Sequence, residues 1–267
     1  MKRILFGLIL IFCVNIVFAQ KDNLPLKLRV CSYNIGHFNQ GSLGGFQLDK
    51  NVAEAELKRW KQWVGNQAFD ILSVNEWNPH FDKDSTFNAQ AHLLDPFYST
   101  VVLGEHKRWI FNGFATNYKI TNIRQKNWDG DYYAIFGDMH VGDQVITVIS
   151  THIPWQKNLH DNSLNMLIEE LKKYEYFICL GDMNASDNNQ LLFTKAGFNM
   201  ANGGHLGWFN TCGGKALKSG HQGAADYNID NIVTSSNIKI FNVSAPTTGL
   251  NDVDHLPIIA DVVITWN

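Results

Sequence analysis

Short apolar runs alternate with polar turns along most of the chain, and three stretches carry a helical period instead. The predicted helices cover residues 49–67, 163–174 and 191–198. In the first of them, the apolar positions near one face are Val52, Leu57, Trp60 and Val64. The second leads directly into an apolar run at residue 176.

The other apolar runs have the length of strands and end at turn-forming residues. They predict strands over residues 27–35, 70–77, 113–120, 132–141, 144–153, 176–182, 227–235, 238–246 and 255–264. Several of these runs are apolar throughout, which is typical of strands buried on both faces. Because the helices do not alternate regularly with the strands, the pattern predicts an α/β fold with two mixed sheets packed face to face and helices outside.

The N-terminal segment has the pattern of a secretory signal peptide. Lys2 and Arg3 precede a nearly continuous apolar stretch over residues 4–17, and a small residue, Ala19, follows it. We expect cleavage near Ala19, which leaves residues 20–267 as a single catalytic domain in the periplasm or the medium, with no membrane span. An uncleaved anchor is the alternative interpretation.

Charge and cysteine content narrow the function only slightly. Without Lys2 and Arg3, 20 basic residues face 25 acidic ones, and this balance of −5 does not suit nucleic-acid binding by bulk charge. A nuclease stays possible because bound cations offset carboxylates locally. Cys31, Cys179 and Cys212 match no zinc pattern, and the first two lie in apolar runs that predict core positions.

Polar side chains recur where the apolar runs end. Asp182 and Asn184 follow the run 176–181, and each alone fits an ordinary turn. The other residues of this kind are Asn34, Glu76, His152, Asp230, Asp254 and His255. Since ligands of open α/β sheets bind beyond the carboxyl ends of strands, the repeated pattern predicts one shared site.

Six short stretches resemble, in order, the motifs of the endonuclease/exonuclease/phosphatase superfamily, whose members include pancreatic-type deoxyribonuclease and the apurinic-site endonucleases. They are SYNIGHF (32–38), SVNEW (73–77), STHIP (150–154), LGDMN (180–184), NIDNIVTSS (228–236) and DVDHLP (252–257). The resemblance extends over almost the whole chain after the leader. It implies a four-layer α/β sandwich with the site at one end of the strands. Two positions depart from the family pattern: Asn75 replaces a Gln, and Asn231 replaces the aromatic residue of many nucleases.

The chemistry of phosphoester hydrolysis assigns roles to these residues. A hard divalent cation, Mg²⁺ or Mn²⁺, offsets the charge of the phosphate and prefers oxygen ligands. Glu76 is the expected principal ligand, with the amide oxygen of Asn34 and the carboxylate of Asp254 beside it. We therefore expect hydrolysis to depend on this metal.

His255 is the expected general base, because an imidazole accepts a proton near neutral pH. The resemblance implies that Asp230 orients it. Asp182 either positions the attacking water or protonates the leaving oxygen. Asn184 is expected to donate a hydrogen bond to the phosphoryl group, and His152 to contact the phosphate from the other side.

Two further positions are candidates for substrate binding, each with a plain alternative. Arg108 either binds a substrate phosphate or is a solvated surface residue. Trp208, with its neighbour Phe209, either stacks on a base or sugar or anchors its loop in the core.

The sequence thus predicts a monomeric, exported, metal-dependent phosphoester hydrolase whose partner is its substrate. A phosphodiesterase acting on nucleic acid is the leading interpretation. A phosphatase or a phospholipase-C-type enzyme acting on inositol phosphates or phospholipids is the alternative, although no long apolar insertion for membrane contact is present. An inactive binding protein on the same scaffold is the alternative of another class.

Overall fold

Two six-stranded sheets form the centre of the protein in the computed structural model, which describes residues 24–38, 49–213, 227–250 and 253–266. The predicted leader lies outside the described residues. The strands are β1 Leu26–Asn34, β2 Ile71–Asn75, β3 Thr100–Leu103, β4 Gly113–Thr116, β5 Lys119–Asn127, β6 Tyr133–Val141, β7 Gln144–His152, β8 Phe177–Asp182, β9 Asn199–Met200, β10 Asp230–Thr234, β11 Ile238–Ser244 and β12 Ile258–Ile264. The helices are α1 Lys50–Gln67, α2 Ala89–Leu93, α3 Lys157–Leu171 and α4 Asp187–Lys195, and Gly36–Phe38 form a 3₁₀ turn.

Both sheets are mixed, and they have the same arrangement of parallel and antiparallel strands. The first has the strand order β11-β12-β1-β2-β4-β3 and the second β5-β6-β7-β8-β10-β9. In each sheet the central pair, β1 with β2 or β7 with β8, is parallel, and the other neighbours are antiparallel. The predicted mixed sheets are therefore confirmed.

The inner faces of the two sheets pack against each other. Val30 and Ile71 of the first sheet share one apolar core with Ile178 of the second. Near the site this core turns polar, and Ser73 Oγ donates to Ser150 Oγ across the sheets at 2.8 Å. Since side chains alternate along a strand, the residues that follow these core positions at even spacing also point between the sheets.

Helices cover the outer faces, so the predicted four-layer sandwich is confirmed. Leu57, Trp60 and Val64 of α1 pack on the outer face of the first sheet. Helix α3 packs against the second sheet through Leu164 and Leu167, among others. One predicted contact is wrong: Val52 is 53% exposed, because the first buried turn of α1 uses its neighbour Ala53 instead.

Several element boundaries differ from the prediction. Residues 113–120 form two strands in different sheets rather than one, because the chain crosses between the sheets at Asn117 and Tyr118. Helix α3 begins at Lys157, six residues before the predicted start. Its first turn is polar in sequence, and His160 within it is buried against the carbonyl of Met183.

The strands β3 and β9 and the helix α2 were not predicted, since each is short. Cys31, Cys179 and Cys212 are buried and form no disulfide within the described ranges, and the first two lie in the core as predicted. Within the described ranges, no helix combines the length and the apolar character that crossing a membrane requires.

Candidate active site

Most of the predicted polar residues line one cleft of about 900 Å³ at a single edge of both sheets, and the buried Asn34 and Asp230 contact residues of this lining. The parallel pairs end there, at Asn34 and His152 for example. The antiparallel partners β10 and β12 begin there, so that Asp230 lies directly opposite Asp182 in the strand register. The cleft is lined by Glu76, His152, Asp182, Asn184, Asp254 and His255.

His255 and Asp230 form the shortest side-chain to side-chain contact between the predicted catalytic residues. His255 Nδ1 lies 2.8 Å from Asp230 Oδ2, and both side chains are almost fully buried. The other ring nitrogen, Nε2, lies 3.8 Å from Asp182 Oδ2 and 4.0 Å from Asp254 Oδ1. With Nδ1–H donating to Asp230, Nε2 is the nitrogen that can accept a proton.

Asp182, His152 and Asn184 form a second group on the floor of the cleft. Asp182 Oδ2 lies 3.4 Å from His152 Nε2, and Asp182 Oδ1 accepts a hydrogen bond of 2.8 Å from the backbone N–H of Asn184. Asn184 Nδ2 donates to the carbonyl of Ile153 and lies 3.1 Å from His152 Nε2. Asn184 has a left-handed backbone with φ of 45°, an arrangement that turns its amide back toward His152.

Glu76 enters from the first sheet and is linked to this floor by Asn34. Asn34 Nδ2 donates to Glu76 Oε1 at 3.2 Å and to Asp182 Oδ2 at 3.1 Å. Its amide oxygen accepts from the backbone N–H of Gly36, so in this arrangement Asn34 offers an N–H, not an oxygen, to the carboxylates. Its ligand role stays a prediction that requires the amide to turn over.

Beneath the cleft, Asn75 links the two sheets, and Gly181 allows β7 and β8 of the second sheet to lie close together. Asn75 Nδ2 donates to the carbonyl of Thr151, and Asn75 Oδ1 accepts from the backbone N–H of Asp182. A Cβ atom on Gly181 would lie 1.9 Å from the same Thr151 carbonyl. The glycine before Asp182 is thus required by the close approach of β7 to β8.

Burial and charge shift the titration of the site. Burial, with the repulsion of Asp230, raises the pKa of Asp182 to about 8. Burial lowers the pKa of His152 to about 3 and that of His37, beside Glu76, to about 4. Burial also lowers the pKa of His255, but Asp230 and Cys212 outweigh it and hold this pKa well above the ordinary value.

The donor set fits a divalent cation. Among the described residues, Asp182, Asp230 and Asp254 form no ion pair with a lysine or arginine, and the basic side chains beside them are histidines. Asp254 Oδ1 and Asp230 Oδ1 are buried and accept no hydrogen bond from the described part of the chain. Oxygen atoms with unmet charge in one cleft are what Mg²⁺ or Mn²⁺ requires.

The predicted ligands are not equally close to one another. Among the described residues, two groups each bring three ligand atoms within 4.8 Å of one another. One group is Asp182, Asp230 and His255, and the other is Cys212, Asp254 and His255. Glu76 lines the same cleft but belongs to neither group. The metal set of Glu76, Asn34 and Asp254 therefore stays a prediction.

The two candidate substrate residues lie in different places. Arg108 lines the cleft, with an 85% exposed side chain and its Nε 3.9 Å from Asp131 Oδ2. Trp208 is not among the described residues that line the cleft, and its ring packs against Gly203. Trp208 is 39% exposed, so this contact lies within its loop and not in the core, and both alternatives for Trp208 stay predictions.

Sequence reasoning missed the aromatic walls of the cleft. Trp155 is 69% exposed, Tyr227 55% and Trp109 48%, and all three line the cleft. Trp109 directly follows Arg108, and Trp155 directly follows the stretch 150–154. For Trp109 and Trp155, the sequence signal was therefore a tryptophan in a polar stretch beside a candidate residue or a motif.

Comparison with known proteins finds this fold in solved structures. A Bacteroides vulgatus endonuclease/exonuclease/phosphatase is 16% identical with a TM-score of 0.66, covering 89% of this chain and 98% of that chain. A Bacteroides thetaiotaomicron family member is 17% identical with a TM-score of 0.64, covering 91% of this chain and 97% of that chain. A truncated Caenorhabditis elegans TDP2 is 14% identical with a TM-score of 0.63, covering 89% of this chain and 98% of that chain. No family model and no curated protein matches the sequence. The chain has the endonuclease/exonuclease/phosphatase fold, as the motifs implied.

Proposed function

We propose that this protein is an exported, divalent-metal-dependent phosphodiesterase that hydrolyses nucleic acid or nucleotides, with His255 as the general base. The observation that carries the proposal is the buried pair of His255 and Asp230, 2.8 Å apart, in the same cleft as Asp182, His152 and Asn184. The fold of the three solved structures supports phosphoester hydrolysis as the reaction class.

A divalent cation would be held by Glu76 and Asp254, with Asn34 as a third ligand once its amide turns. When bound, it supplies the positive charge that offsets the phosphate and makes attack by water feasible. Glu76 has a left-handed backbone with φ of 50°, and its side chain lines the cleft.

His255 removes the proton from the attacking water through Nε2, the ring nitrogen that faces the cleft. Asp230 accepts the Nδ1–H bond, which fixes the tautomer and stabilises the imidazolium that forms. Because Asp230 is fully buried on β10, water does not compete with His255 for its carboxylate. The pair is thus preorganised for proton transfer.

Asn184 and His152 contact the phosphoryl oxygens opposite the base. Asn184 Nδ2 donates to Ile153 O and lies 3.1 Å from His152 Nε2, so its second N–H must turn from the imidazole before it donates to a phosphoryl oxygen. Asp182, between the two histidines, takes one of two roles: it positions the water, or it protonates the leaving oxygen.

The walls of the cleft favour a nucleotide-type substrate. Trp109, Trp155 and Tyr227 present large exposed rings next to the proposed phosphate position, and bases stack on such rings without sequence preference. Arg108 and Lys107 add positive charge at the same wall, although the chain as a whole is acidic. Local charge and stacking thus replace bulk electrostatic attraction.

The test is a substrate panel with purified protein, assayed with Mg²⁺ or Mn²⁺ and again with excess EDTA. The panel holds single-stranded DNA, plasmid DNA, RNA, abasic DNA, sphingomyelin, inositol phosphates and a chromogenic phosphodiester. We expect metal-dependent turnover of a nucleic-acid substrate, abolished by EDTA. Turnover only of phospholipid or inositol phosphate would overturn the substrate class, and full activity in EDTA would overturn the metal dependence.

A pair of variants tests the role of the aromatic wall. Trp155→Ala should raise KM for the nucleic-acid substrate by about tenfold, since one stacked base contributes roughly 1–3 kcal/mol, and leave kcat less affected. Phe241→Ala is the matched control, because Phe241 is 45% exposed on β11 and does not line the cleft. Equal KM values for the two variants would contradict base stacking at Trp155.

A further inference from the structure

Cys212 brings a sulfur ligand to the proposed active site. The Cys212 sulfur and one ligand atom each of Asp254 and His255 all lie within 4.8 Å of one another. All three residues line the cleft, so an ion can reach them from solvent. Cys212 is 5% exposed, in contrast to Cys31 and Cys179, which have no exposed surface.

The backbone holds these three residues together. Cys212 pairs with Tyr227 on one side through bonds in both directions, 2.8 Å from its N–H and 2.9 Å to its carbonyl. On the other side it forms an isolated bridge with His255, flanked by a bond of 3.0 Å from Gly213 N–H to Asp254 O. The sulfur is therefore fixed beside the carboxylate and the imidazole before any ion arrives.

This donor set differs in kind from the oxygen set expected for Mg²⁺. Thiolate, imidazole and carboxylate together suit Zn²⁺, which is borderline-soft and four-coordinate, and they suit Mg²⁺ poorly. Asp254 Oδ1, buried and without a hydrogen-bond donor among the described residues, is an available third ligand. The fourth position would face the cleft and take water or a phosphate oxygen.

We propose that Cys212, Asp254 and His255 form a Zn²⁺ site that inhibits the enzyme. The inhibitory part rests on the proposed function, because Zn²⁺ bound there would occupy the Nε2 lone pair of the general base. It would also take Asp254 away from the catalytic cation. Hydrolysis should therefore stop in the presence of Zn²⁺ even when Mg²⁺ is in excess.

The binding part is tested without substrate, by titrating the full mature protein with Co²⁺ as a spectroscopic substitute for Zn²⁺. We expect the near-ultraviolet charge-transfer band of a Co²⁺–thiolate bond and the intense visible bands of tetrahedral Co²⁺, both lost when Zn²⁺ is added. Cys212→Ser should lack the charge-transfer band, whereas Cys179→Ala, the control for a core cysteine, should keep it. Circular dichroism verifies that both variants are folded.

The inhibitory part is tested by the Zn²⁺ concentration that halves the Mg²⁺-supported rate, each variant being compared with its own Zn²⁺-free rate. We expect this concentration to rise at least tenfold in Cys212→Ser and to stay unchanged in Cys179→Ala. Weak octahedral Co²⁺ bands in the wild-type protein, or a band that survives in Cys212→Ser, would overturn the site. A thiolate band in a protein with no activity on the panel would retain the site and reject the proposed function instead.

Discussion

Asn75 shows how one residue at the base of the site couples the two sheets. From the end of β2 it donates to the Thr151 carbonyl on β7 and accepts from the Asp182 N–H on β8. It is also a position where the sequence departs from the family pattern. The shorter amide nevertheless satisfies a buried donor and a buried acceptor, so the departure leaves Asp182 in place.

Replacing Asn75 by Ala should therefore destabilise the fold by about 2 kcal/mol, because two buried backbone groups lose their partners. It should also lower kcat, since the Asp182 backbone is no longer fixed. Urea unfolding and the phosphodiester assay measure the two effects. Asn127→Ala is the control: Asn127 is exposed on β5, and its removal should change stability by less than about 0.5 kcal/mol. Equal stability of the two variants would contradict the proposed coupling.

At the scale of the element, the strand pair β7 and β8 carries His152 and Asp182 in register. The apolar runs predicted both strands because each is buried on both faces. Their close spacing at Gly181 was indicated only by the glycine itself. What the sequence did not indicate was the polar first turn of α3 or the crossing between β4 and β5. Both depend on tertiary contacts, such as that of His160 with Met183, rather than on local pattern.

Gly181→Ala should be among the most damaging single substitutions in the chain. The added methyl group meets the backbone of β7 at 1.9 Å, which rotamer changes cannot relieve, so we expect a loss of about 4 kcal/mol or more. Gly197→Ala is the control that has backbone strain without a clash. Gly197, after α4, has φ of 88° and open space around it, so this substitution should lower the free energy of unfolding by about 1 kcal/mol. Thermal unfolding of both variants measures the difference. A Gly181→Ala protein as stable as Gly197→Ala would show that β7 and β8 are not so closely packed.

Helix α3 is fixed to the edge strand β5 by a buried carboxylate. Glu170 Oε2 lies 2.5 Å from Lys126 Nζ on β5 and 2.8 Å from Lys173 Nζ, and Oε1 accepts from the Tyr174 hydroxyl. Burial raises the pKa of Glu170, but these three partners outweigh it and lower the pKa to about 2. Since the folded pKa lies below the unfolded value, ionised Glu170 stabilises the fold above about pH 4.5. This stabilisation is lost as the pH falls toward 2.

Glu170→Gln should lower the free energy of unfolding by about 1–2 kcal/mol at pH 7. The effect is no larger because water screens the charges of the partly exposed Lys126 and Lys173. By pH 3 the difference from wild type should shrink to less than half, because unfolded wild-type protein then binds a proton that the folded protein does not. Glu169→Gln is the matched control, as Glu169 is an exposed neighbour paired with Lys172. Denaturant unfolding at both pH values decides the matter, and a difference independent of pH would contradict the network.

At the scale of the whole molecule, the sequence predicted the architecture and the meeting of the polar residues at one edge, whereas their roles in catalysis stay predictions. Six polar groups at the ends of apolar runs were enough, because strand ends of two packed sheets meet at one edge. The aromatic walls and Cys212 lie in loops, where neither periodicity nor a motif indicates what a side chain faces. The single domain over residues 20–267 and the monomeric state stay predictions.

Export is a prediction about the chain as a whole. The basic start, the apolar stretch and Ala19 predict removal of residues 1 to 19 during secretion. Intact-mass analysis of the protein recovered from the periplasm or medium of its producing cell measures this. A mature protein that retains Met1 would identify the segment as an anchor.

The most direct test of the central claim is kcat on the best phosphodiester substrate with saturating Mg²⁺, measured for wild type, His255→Ala and Asp230→Asn. General-base catalysis predicts a loss of ~10²–10⁴-fold for His255→Ala with the fold intact by circular dichroism. It predicts a smaller loss for Asp230→Asn, which keeps the imidazole but orients it less well. A folded His255→Ala protein with near-wild-type kcat would contradict the assignment of His255 as the base.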